Sequence, residues 1–407
     1  MSSIAEETMI PLARPVLGAA EERAVLDVLR SGQLSLGPRA PSFERAFAER
    51  VGAAWGSAVS SGTAGLHLAL RAVGVGDGDE VVTSPFSFVA SANAAIYERA
   101  TPVFADIDPV TLNLDPDAAA AAVTSRTRAL LPVHIFGYPA EMTAFERVAE
   151  RHGLGIVEDA CEALGAVYGD GGAVGGRGHP AVFGFYANKQ LTTGEGGMVT
   201  LGDEELKGRI DSERNQGRAP DMGWLDHDRL GFNYRLSDIA CALGLAQLER
   251  LDSMLAARAR VAGLYREALA GVEGLGLPCA DGAGLPGGAD RPDDAGGLGD
   301  ADRPDDLAAG GARRGWFVFV VQLPRGVDRD ATVRALGERG VQSKPYLPAI
   351  HLMSFYRERF GHRPGEFPVC EDVAARSLAL PFFPELGEGQ IARVCGALRG
   401  VLGRSFR

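Results

Sequence analysis

Hydrophobic residues in the first half of the chain alternate between short apolar blocks and segments with helical spacing. The blocks predict strands at residues 80–83, 102–105, 128–133 and 155–158. The spaced segments predict helices at residues 90–98, 116–123 and 141–152. Short apolar strands joined by crossover helices are typical of a largely parallel α/β sheet that is covered on both faces. In such sheets, functional residues collect at the carboxyl ends of the strands.

The stretch from Val182 to Val199 combines an apolar aromatic run, one lysine, a glycine-rich turn and a second apolar run. This pattern predicts two strands and a tight loop that places Lys189 between apolar walls. An ammonium ion avoids such surroundings, whereas a neutral amine bonded to a carbonyl cofactor as a Schiff base does not. The local pattern gives equal support to the alternative, in which the Lys189 ammonium reaches water past the glycines.

Two upstream segments favour the cofactor interpretation of Lys189. Asp159 ends a short apolar strand, and Gly62, Thr63 and Ala64 open a helix after a small-residue turn. Pyridoxal phosphate is held by three such devices: a lysine for its aldehyde, a carboxylate for its ring nitrogen and a helix N-terminus for its phosphate. With these motifs the chain resembles the sugar aminotransferases of the DegT/DnrJ/EryC1/StrS family, from about Ile10 to the C-terminus.

The resemblance implies a type I pyridoxal-phosphate transferase fold, similar to that of aspartate aminotransferase. We expect a large cofactor-binding domain at residues 1–255, with a mostly parallel central sheet. A smaller C-terminal α+β domain is expected at residues 256–407. Further predicted helices are 21–29, 41–51 with Ser42 as N-cap, 238–269 with Ser237 as N-cap, 329–339, 370–378 and 389–402, and a further strand is 316–321.

Residues 280–311 differ in composition from the rest of the chain. They contain the near-repeat 289–294 and 301–306 within glycine-rich sequence, and almost no apolar side chains. Such a segment cannot offset its ordering entropy, so we expect a mobile insertion in a surface loop. Its Gly-x-Gly-x-x-Gly pattern from Gly282 to Gly287 follows no strand and opens no helix, which argues against a dinucleotide site.

Net charge, cysteine spacing and the lack of long apolar segments exclude several classes of protein. The 407 residues carry a net charge of −12, so no basic excess is available for nucleic acid. Five scattered cysteines without a Cys-x-x-Cys pair indicate free thiols in a reducing cytoplasm and no metal site. The N-terminus lacks a secretory pattern, and no apolar stretch is long enough to cross a bilayer. We therefore expect a cytoplasmic protein without a membrane partner.

The resemblance also assigns roles to the central residues. Lys189 falls at the family's cofactor lysine, which forms the Schiff base and moves a proton during the reaction. Family members that dehydrate sugars carry histidine there, so the lysine indicates transamination. Asp159 would pair with the ring nitrogen, the alternative being a helix N-cap. Glu162 matches a family position near the ring hydroxyl, where relatives commonly have glutamine or histidine.

Other matched residues complete the predicted cofactor site. Gly62, Thr63 and Ala64 would bind the phosphate through backbone N–H groups and the Thr63 hydroxyl. Gly184 stands where many relatives offer a serine hydroxyl to the phosphate. Phe88 matches the aromatic residue that stacks on the pyridine ring, and the alternative is a phenylalanine of the core.

Two further segments would bind substrate or a neighbouring subunit. Asn233 and Arg235 match a loop that reaches the partner's site, with the asparagine at the phosphate, and this implies a homodimer with shared active sites. The alternative is a loop that caps a helix. Tyr346 and His351 match a segment on the sugar-nucleotide side of the cleft, although a lone histidine is more often structural.

The resemblance therefore implies an aminotransferase that takes an amino group from an amino acid, with L-glutamate as the expected donor. The expected acceptor is a keto group on a nucleotide-linked sugar. One alternative keeps the cofactor and changes the acceptor to a cyclitol or another small ketone. A second alternative is a pyridoxal-phosphate-binding regulatory protein that has lost catalysis.

Overall fold

The computed structural model describes residues 9–219, 226–279 and 311–405, so the predicted insertion at 280–311, except its last residue, lies outside the described residues. The helices are α1 Ala19–Ser31, α2 Arg39–Val51, α3 Gly62–Ala72, α4 Ala90–Tyr97, α5 Pro116–Ala121, α6 Met142–His152, α7 Glu204–Arg214, α8 Asp238–Glu249, α9 Leu251–Leu269, α10 Arg329–Gly337, α11 Ser354–Phe360, α12 Pro368–Arg376 and α13 Glu388–Ser405. The strands are β1 Trp55–Val59, β2 Glu80–Thr83, β3 Thr101–Phe104, β4 Thr127–Leu131, β5 Gly155–Ile156, β6 Glu158–Asp159, β7 Ala181–Gly184, β8 Gly197–Leu201, β9 Phe319–Gln322, β10 Lys344–Pro345 and β11 Ser377–Leu380.

The central layer is a mostly parallel sheet, which confirms the predicted α/β class. Its two halves have the strand orders β3-β2-β4-β5 and β6-β7-β8-β1. The two halves meet at two backbone contacts. The Val157 N–H donates to the Leu130 carbonyl, and Asp159 pairs with Val133 in a parallel β-bridge. Among these strands β8 alone runs opposite to the others, so its pairings with β1 and β7 are antiparallel. The carboxyl ends of β4, β6 and β7 therefore lie at one edge of the sheet.

Aromatic packing fixes the strand that precedes Lys189. Phe43 and Phe47 of α2 are fully buried against Phe183 and Phe185, with ring centroids 5.0–5.5 Å apart for three of the pairs. Edge and tilted contacts of this kind add to the energy of apolar burial. This side of the loop that carries Lys189 is thus anchored in the core.

The C-terminal part forms a smaller α+β unit around the antiparallel sheet β10-β11-β9. Its core contains Val261 and Tyr265 of α9, whereas Met254 of the same helix packs into the core of the large sheet. Helix α9 therefore joins the two cores, and the exact division at residue 255 stays a prediction. No helix among the described residues is long and apolar enough to cross a membrane.

Two local predictions were wrong in detail. The helix predicted at 238–269 is two helices, because Arg250 leaves helical geometry at φ −104° and ψ 0°. Ser42 is not an N-cap, since α2 already begins at Arg39. The Asp238 carboxylate accepts the N–H groups of Gly37 and Arg39 and so caps α2 from another helix.

Other boundaries follow from pairing between distant segments. The helix predicted at 370–378 ends at Arg376, because Ser377 enters β11 and pairs with β9. The sequence pattern did not predict β1, α7 or α11. The predicted N-cap Ser237 is confirmed, as its hydroxyl accepts the Ala240 N–H at 3.3 Å.

Candidate active site

A cavity of about 550 Å³ opens at the carboxyl edge of the large sheet, beside the start of α3. Residues 344–348 of the smaller unit form one of its walls. Seven of the residues predicted from the sequence line it, namely Gly62, Thr63, Phe88, Asp159, Glu162, Lys189 and Tyr346. The fold therefore brings together residues that are far apart along the chain.

The start of α3 presents backbone N–H groups to the cavity. Ser61 caps the helix, and its hydroxyl accepts the N–H of Ala64 at 3.1 Å. The N–H groups of the first turn have no acceptor within the helix, so those of Gly62 and Thr63 can bind an anion. The predicted contribution of Ala64 is changed, because its N–H serves the Ser61 cap.

Gly197 allows this helix start to approach the sheet. A Cβ atom at position 197 would lie 2.8 Å from the Phe183 carbonyl oxygen and 2.9 Å from the Gly62 nitrogen. Both are backbone atoms, which cannot move aside as a flexible side chain can. The glycine in β8 is thus required for the position of the first turn of α3.

Asp159 is buried at the end of β6 and is held by two donors. The Ser91 hydroxyl of α4 donates to Oδ2 at 2.6 Å, and the Cys161 N–H donates to Oδ1 at 3.1 Å. Together these two hydrogen bonds fix the orientation of the Asp159 carboxylate at the edge of the sheet. Sequence reasoning missed Ser91, because nothing in its local pattern indicates that α4 packs against β6.

Lys189 lies on the loop between β7 and β8 with its amine turned into the protein. Its side chain is 15% exposed, and Nζ lies 3.6 Å from Oε1 of Glu162. The same nitrogen stands 3.9 Å from the centroid of the Phe317 ring, which sequence reasoning did not identify. The alternative of a solvated surface lysine is therefore not what the structure shows.

Glu162 contributes a buried carboxylate beside that amine. Its Oε2 accepts the Phe136 N–H at 3.0 Å. Burial raises the pKa of Glu162 above its ordinary value, although the neighbouring Lys189 opposes that shift. Burial also raises the pKa of the Cys161 thiol well above its usual range, so this cavity-lining sulfur stays protonated.

Phe88 and Tyr186 present aromatic rings at the cavity. The Phe88 side chain is 62% exposed and that of Tyr186 is 53% exposed, whereas nearby Phe86 is fully buried. The alternative of a core phenylalanine at position 88 does not fit this exposure. An exposed ring on a cavity wall can stack on a planar ligand.

Tyr346 and His351 have different positions although they were predicted together. Tyr346 lines the cavity, and burial raises the pKa of its phenol well above its ordinary value. His351 is fully buried away from the cavity wall, with Nε2 3.1 Å from Oε1 of Glu371. The structure therefore does not place His351 where it could contact a ligand in this cavity.

Asn233 and Arg235 also lie outside this cavity. The backbone of Asn233 pairs with that of Asn215 in an isolated antiparallel β-bridge. The backbone of Arg235 pairs in the same way with Val59 at the end of β1. The Arg235 guanidinium donates to Oδ1 of Asn215 at 2.9 Å and to Oε1 of Gln216 at 3.1 Å. The predicted contact of this loop with the site of a second subunit stays a prediction.

Lysine is rare in this chain and two of its three lysines border the cavity. Lys189 and Lys344 line it, whereas Lys207 forms an ion pair with Asp211. Lys344 is exposed on the edge strand β10, and no carboxylate in the described part of the chain lies within ion-pair distance of it. It therefore presents a positive charge at the cavity, whose lining also includes the exposed carboxylate of Glu195.

The set of groups fits an aromatic aldehyde that carries a phosphate. It offers a shielded amine, a fixed carboxylate, an exposed aromatic face and the N–H groups of a helix start. Across residues 9–219, 226–279 and 311–405, no cluster of three or more His, Cys, Asp or Glu side chains is arranged for a metal ion.

Comparison with known proteins identifies the family. The model of the DegT/DnrJ/EryC1/StrS aminotransferase family matches residues 15–283 and 298–399. The chain is 36% identical over 406 residues to spore coat polysaccharide biosynthesis protein SpsC of Bacillus subtilis, covering 97% of each chain. It is 37% identical over 396 residues to GDP-perosamine synthase of Caulobacter vibrioides, covering 97% of this chain and 98% of the other.

A solved structure supports the same assignment. S. venezuelae DesV, determined in complex with a ketimine intermediate, superposes with a TM-score of 0.82 and 34% identity, and the match covers 96% of this chain and 95% of DesV. The predicted family, fold class and enzyme class are thereby confirmed. The chain belongs to the DegT/DnrJ/EryC1/StrS aminotransferase family.

Proposed function

We propose that this aminotransferase uses pyridoxal 5′-phosphate to move an amino group from L-glutamate to a keto group of a nucleotide-linked sugar. The observation that carries the proposal is the Lys189 amine, which is shielded between Glu162 and Phe317 in the cavity that also contains Asp159. A lysine of this kind is the anchor that an aldehyde cofactor requires.

Each surrounding residue would bind a different part of the cofactor. Asp159 would bind the ring nitrogen, Phe88 the ring face and Glu162 the ring hydroxyl, while Gly62 and Thr63 would bind the phosphate. When bound, the cofactor supplies an electron sink for the bond that breaks next to the amine. Lys189 would hold the cofactor before the reaction and then carry the proton between the two carbon atoms concerned.

The acceptor is inferred from the relatives and from the mouth of the cavity. One relative is named GDP-perosamine synthase, and its name refers to a nucleotide-linked amino sugar. Lys344 adds a positive charge at the mouth, which suits an acceptor that carries a diphosphate. Tyr346 would lie on the same side of the cavity as this part of the substrate.

A second copy of the chain would complete the assembly. Several large apolar side chains are exposed on the isolated chain, including Leu34, Leu36 and Leu230. Packing such side chains against a second copy would remove their apolar surface from water. We propose a homodimer in which the loop with Asn233 and Arg235 contacts the partner's cavity.

Reductive trapping tests the cofactor and its attachment point. Purified protein is incubated with pyridoxal 5′-phosphate, reduced with borohydride, digested and analysed by mass spectrometry. We expect the pyridoxyl adduct on Lys189, with Lys207 and Lys344 as internal references in the same digest. An adduct elsewhere, or none, would contradict the proposal, and Lys189→Ala should lose the adduct together with amine transfer.

Acceptor assays separate the remaining alternatives. With L-glutamate as donor, amination of a nucleotide ketosugar but not of a keto-cyclitol supports the proposed acceptor. The reverse pattern would reassign the acceptor while retaining the cofactor. A cofactor spectrum that L-glutamate leaves unchanged would instead indicate a regulatory protein without catalysis.

A further inference from the structure

Arg258 is a buried cation whose charge no neighbouring anion offsets. It lies in α9, is 3% exposed, and has no carboxylate within ion-pair distance in the described ranges. Burial alone lowers the pKa of its guanidinium to about 10. Burying an unpaired charge opposes folding, so an apolar side chain would serve better if this position only filled space.

The guanidinium instead bridges two backbone carbonyls at the candidate active site. Nη2 donates to the carbonyl of Lys189 at 3.2 Å, and Nη1 donates to the carbonyl of Phe317 at 3.0 Å. The ring of Phe317 is the one that lies beneath the Lys189 amine. One side chain therefore fixes both the backbone from which the lysine extends and the ring against which its amine rests.

Gln190 reinforces this arrangement from the next position in the chain. Its side-chain amide donates to the carbonyl of Glu162 at 2.6 Å and to that of Gly315 at 2.9 Å. The loop with Lys189 is consequently tied at two successive residues to the segment from Gly315 to Phe317. Arg258 itself belongs to α9, and the same helix buries Val261 and Tyr265 in the core of the smaller unit.

We propose that Arg258 is a positioning residue, whose two-carbonyl bridge fixes the direction in which Lys189 presents its amine to the cavity. This inference rests on the proposed function of Lys189. It also makes the smaller unit part of the active-site architecture, because a displacement of α9 would move the lysine and the ring below it together.

The test compares Arg258→Met with wild type in the full-length protein. The readouts are the affinity of the apo protein for pyridoxal 5′-phosphate, the visible circular dichroism of the bound cofactor and the yield of the reduced adduct on Lys189. A displacement of about 1 Å can reduce the rate of a reaction about 100-fold. We expect the affinity and the adduct yield to fall at least about tenfold, with a weakened dichroism band.

Two further variants separate positioning from folding and from charge. Tyr265→Phe removes a buried hydrogen bond to the Pro381 carbonyl from the same helix without touching Lys189, so we expect a lower melting temperature and wild-type cofactor binding. Arg258→Lys keeps the positive charge, but a single ammonium group cannot span the two carbonyls as the guanidinium does. Its cofactor affinity, dichroism and adduct yield should therefore resemble those of Arg258→Met. If Arg258→Met does not fold, Arg258→Lys carries the comparison.

Each other outcome overturns the inference. Arg258→Lys with wild-type affinity and dichroism would show that the charge and not the bridge matters. An Arg258→Met protein that changes only in melting temperature, as Tyr265→Phe does, would show a purely structural role. Absence of the adduct from wild type would overturn the proposed function of Lys189, and this inference with it.

Discussion

The Ser91 hydroxyl donates a hydrogen bond of 2.6 Å to Oδ2 of Asp159, and both side chains are buried. Ser91 belongs to α4 and Asp159 to β6, so this contact links a helix on one face of the sheet to the carboxylate at its edge. The carboxylate is therefore oriented before any ligand arrives.

Removing this hydrogen bond should impair Asp159 without unfolding the protein. A hydrogen bond to a charged group contributes about 1.5–3 kcal/mol. We expect Ser91→Ala to lower kcat/KM of transamination by about 10- to 100-fold. Ser84→Ala is the matched control, because Ser84 is equally buried and, among the described residues, its hydroxyl bonds only to the backbone of Phe86. Wild-type kinetics in Ser91→Ala would contradict a role for this contact.

Phe88 and Phe86 should respond to truncation in opposite ways. Phe88 is largely exposed on the cavity, so Phe88→Ala should change the free energy of unfolding of the apo protein by less than about 0.5 kcal/mol. Loss of the stacking ring should weaken pyridoxal 5′-phosphate binding about tenfold. Phe86→Ala should instead cost about 3–5 kcal/mol of stability, because Phe86 is fully buried. Urea unfolding and cofactor titration measure both effects, and a large stability loss in Phe88→Ala would refute the assignment.

A methyl group at position 197 should disturb the start of α3. Gly197→Ala places Cβ 2.8 Å from the Phe183 carbonyl oxygen, so we expect a loss of about 2–3 kcal/mol in the free energy of unfolding and weaker phosphate binding. Gly208→Ala, in α7, is the control because its Cβ would meet no atom within 4 Å. That variant should gain about 0.5–1 kcal/mol. Equal stability of the two variants would contradict the proposed close approach.

Glu162 should make the stability of the apo protein depend on pH. Its pKa is raised in the folded state, mainly by burial, so the folded protein holds this proton more tightly than the unfolded chain does. The protonated Glu162 therefore contributes to the free energy of unfolding. This contribution is complete below the pKa of the unfolded chain, about 4.5, and is lost as the pH rises through the pKa of the folded state.

The Glu162→Gln variant cannot ionise at this position. It should therefore become progressively more stable than wild type as the pH rises from 4.5, by up to about 1.4 kcal/mol per pH unit in that window. Urea unfolding between pH 4.5 and 8 gives the comparison. Glu195→Gln, which alters an exposed carboxylate at the same cavity, is the matched control. A difference between Glu162→Gln and wild type that is constant with pH would disprove the effect.

Residues at strand ends could be predicted from the sequence, whereas their supports could not. Lys189 and Asp159 each follow a short apolar run, and the rule for the carboxyl edge of parallel strands brings them together. Ser91, Phe317 and Arg258 come from segments whose packing decides their contacts. No local pattern distinguishes a serine facing Asp159 from one that faces solvent.

Two predictions disagree with the structure for the same reason, namely that local sequence patterns do not show how segments pack. His351 lies in a segment whose neighbour Tyr346 does reach the cavity, and only the inward turn at Ile350–Leu352 buries the histidine beside Glu371. Arg250 interrupts the helix predicted at 238–269 although the apolar spacing continues through it. Spacing reports which face of a helix is apolar, but not where the backbone bends.

The scarcity of lysine has a practical consequence for handling this protein. Lys344 is exposed at the cavity, whereas the Lys189 side chain is only 15% exposed, so an activated resin or succinimidyl cross-linker that reacts at Lys344 would attach at that opening. Immobilisation through Lys344 would therefore hold the molecule with its cleft towards the support. Attachment through carboxylates or an added tag would leave that opening facing the solution.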